Sequence, residues 1–379
     1  MYGGASALAL AVARQLGSRD EVEVLTTCAT DYETWRNVEP AGHSRVEGVH
    51  VRRFKTDRER DRRTFDRISR DLVYSPGAPI EEQERWMRAQ GPNSNTLLEY
   101  LDVFGTRYDA VLFFSYLYAT SYFGLPIVED RAILVPLAHD EWPLRLTLWD
   151  RFFQRPRGFV YGSDEEKALV AWRFAGTAVD GPVAGIGLTP PADIDPDRFR
   201  ALSGVREPFM LYLGRVDPSK GCEELLADFG RYRDADESPL RLVLCGERHM
   251  ELAPLAGVTV TGPVDDRTKW DALAACELLV MPSPYESLSI AVLEAWSQGR
   301  PVLVNGRSDV LVGQCRRAGG GIWYANADEF AVGLQLLDAA RREALGRNGR
   351  RYVEAEYTWK RVEHVYRMVL DRVANRAAA

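Results

Sequence analysis

A chain of 379 residues, 46% hydrophobic and 27% charged, has the length for two domains and the composition of a globular protein with sizeable cores. Its formal net charge of −7 excludes a broad nucleic-acid-binding face, although one local basic pocket can still hold a diphosphate. Five cysteines without a CxxC pair fit reduced, buried thiols, and no run approaches the ~18 apolar residues of a membrane span. With no leader pattern at the start, the expected location is the cytoplasm, with at most peripheral contact at the inner membrane face.

Gly3-Gly4 opens an apolar helical stretch over residues 5–16, followed by a short strand at 22–26. Residues 49–54 alternate and are β-branched, as a strand would be. Residues 58–73 mix both charge signs densely and read as a solvated helix face. The continuous apolar runs at 110–114 and 132–136 have the pattern of buried parallel strands. A polar stretch at 192–197 suits an inter-domain connection. Beyond it, 209–213, 242–245, 258–260, 278–281 and 301–304 read as strands with helical segments between them. Two successive βα alternations predict an α/β fold of two doubly wound, Rossmann-like domains facing a cleft. The expected division is 1–185, 186–357 and a closing helical segment 358–379.

The chemistry concentrates in the second half. Gly214-Arg215 ends its first strand, and Lys220-Gly221 follows five residues after Arg215. A strand's carboxyl end is where ligands bind in open α/β sheets. Arginine offers a planar fork for phosphate oxygens and lysine a mobile charge, so the pair suits a diphosphate leaving group. The competing reading is two solvated surface cations. Glu286 and Glu294 lie eight residues apart around an expected helix start. At ~1.5 Å per helical residue their offset is about 12 Å, roughly the span from the sugar of a nucleotide-sugar to its ribose. The helix start between them, at Ser287, Leu288 and Ser289, is a site for phosphate. The plainer alternatives are a dipole-favoured carboxylate for Glu286, with Ser287 or Ser289 as the cap, and a surface residue for Glu294.

His139 follows an apolar strand in Ala138-His139-Asp140-Glu141. A structural and a functional reading weigh about evenly for it. Asp140 and Glu141 find no second cluster to complete a metal site, so no metal is expected. Gly3-Gly4 would be a tight turn admitting a phosphate to a helix start. The chain contains no GxGxxG, GxxxxGK[ST] or GxSxG motif, which lowers the dehydrogenase, NTPase and esterase readings.

Taken together, Gly214-Arg215…Lys220-Gly221, Pro282-Ser283-Pro284-Tyr285-Glu286-Ser287-Leu288, Glu294-Ala295 and Gly299-Arg300-Pro301-Val302 resemble the retaining glycosyltransferases of family 4. These have the GT-B fold. Weaker matches are Gly3-Gly4-Ala5, His139 and the closing Tyr357-Thr358-Trp359. The resemblance implies that Arg215 and Lys220 bind the diphosphate of a donor, expected to be a UDP- or GDP-sugar. It implies Glu286 at the transferred sugar, the amides after it at a phosphate, and Glu294 at the ribose hydroxyls. His139 would stand by the sugar, Gly3 or Gly4 would let donor and acceptor approach, and the last helix would cross back to the first domain. The family needs no metal, and no cofactor is expected.

The resemblance also implies a strand ahead of the glycine loop. Met1-Tyr2-Gly3 leaves no room for it, so either the natural start lies upstream or the N-terminal domain lacks its first strand. Ser6 stands where the family often has an acidic or amide residue. The expected function is transfer of a sugar from a nucleoside-diphosphate donor to a hydroxyl of a saccharide, lipid-linked or small-molecule acceptor, with retention. The alternatives are a catalytically silent GT-B nucleotide-sugar-binding protein and, further off, an NAD-dependent oxidoreductase.

Overall fold

The structure, a computed structural model, describes residues 4–235 and 239–377. They divide into two compact units, one of residues 4–186 together with 359–377, the other Gly187–Thr358.

The first unit opens on the helix Gly4–Leu16, which buries Leu8, Val12, Ala13 and Leu16 along one stripe. Strand β1 (Glu23–Thr27) pairs in parallel with β3 (Val49–Phe54), and β3 pairs antiparallel with β2 (Gly42–Val46). Strand β2 had no signal in sequence. Gly42-His43-Ser44-Arg45 is exposed throughout and carries no apolar alternation to read. The tight turn into β3 places Glu47 and Gly48 at positive φ (49° and 85°), the geometry that a two-residue hairpin connection requires.

A second sheet of the same unit runs β4-β5-β6, all parallel, with β4 at Val111–Phe114, β5 at Ala132–Val135 and β6 at Gly158–Phe159. Every residue of β5 is buried, whereas β4 buries only Phe113 fully. The two three-stranded sheets do not join among the described residues: β1 ends one and β4 ends the other. An uninterrupted doubly wound domain would run them as one. The helix Trp359–Ala377 belongs to this unit and buries Val362, Tyr366, Val369 and Val373. Gly158 is where it presses on β6. A Cβ there would lie 2.7 Å from Val369 Cγ1.

The second unit holds one six-stranded sheet, entirely parallel. Its strands are β7 (Phe209–Leu213), β8 (Arg241–Cys245), β9 (Val258–Gly262), β10 (Leu278–Met281), β11 (Val302–Asn305) and β12 (Gly321–Tyr324). The spatial order is β12-β11-β10-β7-β8-β9, so the winding reverses between β7 and β10. Strands β7, β10 and β11 are buried at every residue, which is why they read as unbroken apolar runs. The polar stretch 192–197 is not a linker. Asp195 caps the helix Pro196–Ser203, and the Asp195 amide and the Arg198 guanidinium both donate to buried Asp271 inside the second unit. Among the described residues no helix is long and apolar enough to cross a membrane.

Candidate functional site

Sheet order puts the carboxyl ends of β7 and β10 side by side, and the best-matched residues leave from those two ends. Strand β7 runs into Gly214, at φ +149°, and Arg215. The Arg215 carbonyl accepts from the Tyr212 hydroxyl at 2.6 Å, which ties the loop to its own strand. Gly246, after β8, approaches this turn so closely that a Cβ would sit 1.7 Å from the Gly214 oxygen. Only backbone fits between the two strand ends.

The next turn carries Lys220. Asp217 caps the short turn Pro218–Lys220 by accepting from the Ser219 amide at 2.8 Å. Gly221 then takes φ +75°, and a Cβ on it would lie 2.4 Å from the Pro282 oxygen. Glycine is required here twice, by conformation and by contact. The close approach lays the Lys220 turn against the loop after β10, where Asn305 Nδ2 at the end of β11 also holds the Pro282 carbonyl at 2.7 Å.

In that setting Lys220 Nζ meets Glu286 Oε1 at 2.9 Å, across 66 residues of chain. Glu286 is not a helix-start carboxylate, because the helix Ile290–Ser297 begins four positions later. Only part of the eight-residue spacing is therefore helical, and the 12 Å expectation built on a continuous helix does not apply. Ser287 and Ser289 are buried and Leu288 is half-buried. Ser289 stands at the cap position, yet its side chain makes no capping hydrogen bond. The first amides of this helix are thus not satisfied by the serine next to them, as an anion-binding helix start requires.

Glu294, in the second turn of the helix, is 7% exposed. Its partner is Lys269 of the helix Asp266–Ala275, Nζ to Oε1 at 2.5 Å, and Lys269 also reaches Asp266 at 2.8 Å. Burial raises the Glu294 pKa and Lys269 offsets part of that rise. Burial works against the Lys269 charge, but Glu294 and Asp266 together hold its pKa above the usual lysine value. Lys269 was missed in sequence because it sits in a charged helix start. One signal was present: Lys269 precedes buried Leu273 by four residues and so shares its inward face.

The remaining candidates lie in the first unit. His139 is half-buried in the loop after β5, beside fully buried Ala138. Gly4 is the first residue of its helix, and a Cβ there would meet nothing within 4 Å, so no contact in the structure calls for glycine. Gly3 lies outside the described residues. The structure thus joins Lys220 to Glu286 and sets Arg215 on the same strand-end surface. It gives Glu294 an unforeseen lysine.

Residues 207–337 match the family model described as Glycosyl transferases group 1. An uncharacterized glycosyltransferase of Methanocaldococcus jannaschii is 27% identical over 190 residues, covering 46% of this chain and 48% of that protein. A GDP-mannose-dependent alpha-(1-6)-phosphatidylinositol monomannoside mannosyltransferase of Mycobacterium tuberculosis is 29% identical over 219 residues, covering 49% of this chain and 55% of that one. The chain spans about half the length of the curated relatives it matches. Among solved structures, sucrose-phosphate synthase from Thermosynechococcus elongatus superposes with a TM-score of 0.72 at 18% identity, covering 97% of this chain and 94% of that chain. At that identity the likeness concerns the fold, which is the α/β GT-B architecture.

Proposed function

We propose that the chain is a glycosyltransferase that moves a sugar from a nucleoside-diphosphate donor, a UDP- or GDP-sugar, to an acceptor hydroxyl. The Lys220–Glu286 pair carries this reading. It places a cation and a carboxylate at the point where the sheet order reverses, next to a helix start with uncapped amides. Such a point is where doubly wound sheets take their ligands. Lys220 and Arg215 take the diphosphate, the amides at Ser287–Ser289 and the helix start take one phosphate, Glu286 takes the sugar, and Glu294 takes the ribose. The family resemblance assigns the transferred sugar to His139 and the approach of donor and acceptor to Gly4.

In the proposed reaction the bond between the sugar's anomeric carbon and the diphosphate oxygen breaks. The acceptor oxygen forms its bond on the same face, and the acceptor proton passes to the departing phosphate. Retention follows from that geometry. The growing negative charge on the leaving group is met by Lys220 and Arg215, so the step calls for no metal and no cofactor. The acceptor is a saccharide, a lipid-linked sugar or a small molecule. The setting is the cytoplasm, with at most a peripheral position at the inner membrane face; the five buried cysteine thiols support a reducing compartment.

Nucleotide screening tests the donor. UDP or GDP at a hundredfold over its Kd should stabilise the protein by about 2.7 kcal/mol and raise its melting temperature. No shift with any nucleoside diphosphate would overturn the reading. Lys220→Ala and Glu286→Ala should each lower transfer about 10²–10³-fold, the cost of removing one transition-state contact, with an unchanged circular dichroism spectrum. Wild-type turnover in either variant would refute the assigned roles. A second reading, a silent nucleotide-sugar-binding protein, draws support from the interrupted sheet of the first unit. It predicts the same thermal shift with neither donor hydrolysis nor transfer.

A further inference from the structure

We propose that Glu166 is a positioning residue that holds the His139 loop through a backbone amide, and that this hold weakens on protonation. The proposal rests on His139 serving the sugar site. Glu166 lies in the first turn of the helix Asp164–Arg173 and is 1% exposed. Its Oε1 accepts from the Ala138 amide at 2.7 Å and its Oε2 from the Gly162 amide at 2.7 Å. No cation pairs with it among the described residues. A buried carboxylate is thus balanced only by backbone dipoles, one of them belonging to the residue before His139.

A plainer reading is a capping box, since Ser163 Oγ accepts from the Glu166 amide at 3.1 Å. A capping-box glutamate needs only to reach back to its own helix start. Here Oε1 is instead committed to a loop 28 residues upstream. That loop is also under conformational load, because Leu137 holds φ +54° without being glycine. Such a conformation persists where its surroundings over-determine it. The Glu166 grip on Ala138 is one such constraint, and the Tyr116 amide, bonded to the Pro136 oxygen at 3.1 Å, is another.

The titration of Glu166 falls in a useful range. Burial raises its pKa to about 7 against the opposing pull of the backbone amides. Once protonated, the carboxyl turns one of its two oxygens into a hydroxyl, so the two amides it holds, Ala138 and Gly162, share one full acceptor and the grip on the loop weakens. The groups facing it are the hydroxyls of Tyr116, Tyr161 and Tyr366, all held well above the usual tyrosine range by burial, with Glu141 and Arg173 acting on Tyr116. The tyrosines stay neutral near pH 7.

The test follows the Ala138 amide and the His139 ring by nuclear magnetic resonance in the full chain, from pH 5 to 9. The Ala138 amide should show one inflection near pH 7 in the wild type and in His139→Ala, and none in Glu166→Gln. A flat wild-type profile, or an inflection lost in His139→Ala, would overturn the proposal, and the wild-type arm needs no variant to fold. A kinetic arm uses donor turnover. Glu166→Gln should lower kcat at least tenfold with donor KM within twofold, and should add less than twofold loss in a His139→Ala background. Additive losses would contradict a role exerted through His139. Should no donor turn over, the glycosyltransferase reading fails, while the resonance arm still decides the fate of Glu166.

Discussion

Charges taken out of water dominate the chemistry at the scale of single residues. Glu286 and Glu294 each keep a lysine within 3 Å, and each lysine comes from a turn or helix distant in sequence. Among the described residues Glu166 has no such partner, and burial governs its titration. The sign of the consequence is definite. Its folded pKa, about 7, lies above the unfolded value near 4.5, so its contribution to stability is complete below about pH 4.5 and is lost as pH rises through 7. At ~1.4 kcal/mol per pKa unit this amounts to roughly 3 kcal/mol. Urea unfolding at pH 5 and pH 8 should show wild type losing that much relative to Glu166→Gln across the interval. Equal pH slopes in the two proteins would contradict it. Glu294 was legible because it stands in an apolar run, and Glu286 through its eight-residue spacing from Glu294 ahead of an expected helix start. Lys269 and Glu166 were not, because each looks like one more charge in a polar helix start, and the register of Lys269 with Leu273 was the one sign of an inward face.

Among the elements, the inner parallel strands of the second unit, β7, β10 and β11, were plain in sequence because both faces of each are covered. Leu278-Leu279-Val280-Met281 has no polar position to confuse the pattern. Strand β2 was hidden for the opposite reason, being exposed at every residue but Val46. Strand β12, Gly321–Tyr324, was missed since it opens on a glycine and exposes Trp323. The turns between strands carry the site, and their glycines show where backbone must touch backbone. Gly221→Ala meets both a left-handed backbone and the Pro282 carbonyl at 2.4 Å. It should cost about 1–3 kcal/mol, the usual range for strain at such a position, and should push the Lys220 turn away from Glu286. Calorimetry and nucleotide affinity would report both effects; wild-type values for the two would show that the turn tolerates a side chain.

For the molecule as a whole, the two units differ in how their sheets end. The second closes the strands that carry Arg215 and Glu286 inside a six-stranded sheet, with β7 and β10 flanked on both sides. Among the described residues the first leaves β1 and β4 at the ends of separate sheets, β4 apolar throughout and β1 only at Val24 and Leu25, and both mostly half covered. Each therefore presents a row of backbone donors and acceptors that another extended segment can complete. The practical consequence is colloidal. During refolding at micromolar concentration the first unit should self-associate before the second does. A lysine at Leu112, a half-buried position on β4, should suppress this, as charge on a strand edge does elsewhere. Light scattering that stays independent of protein concentration in the wild type would show these open edges to be inert.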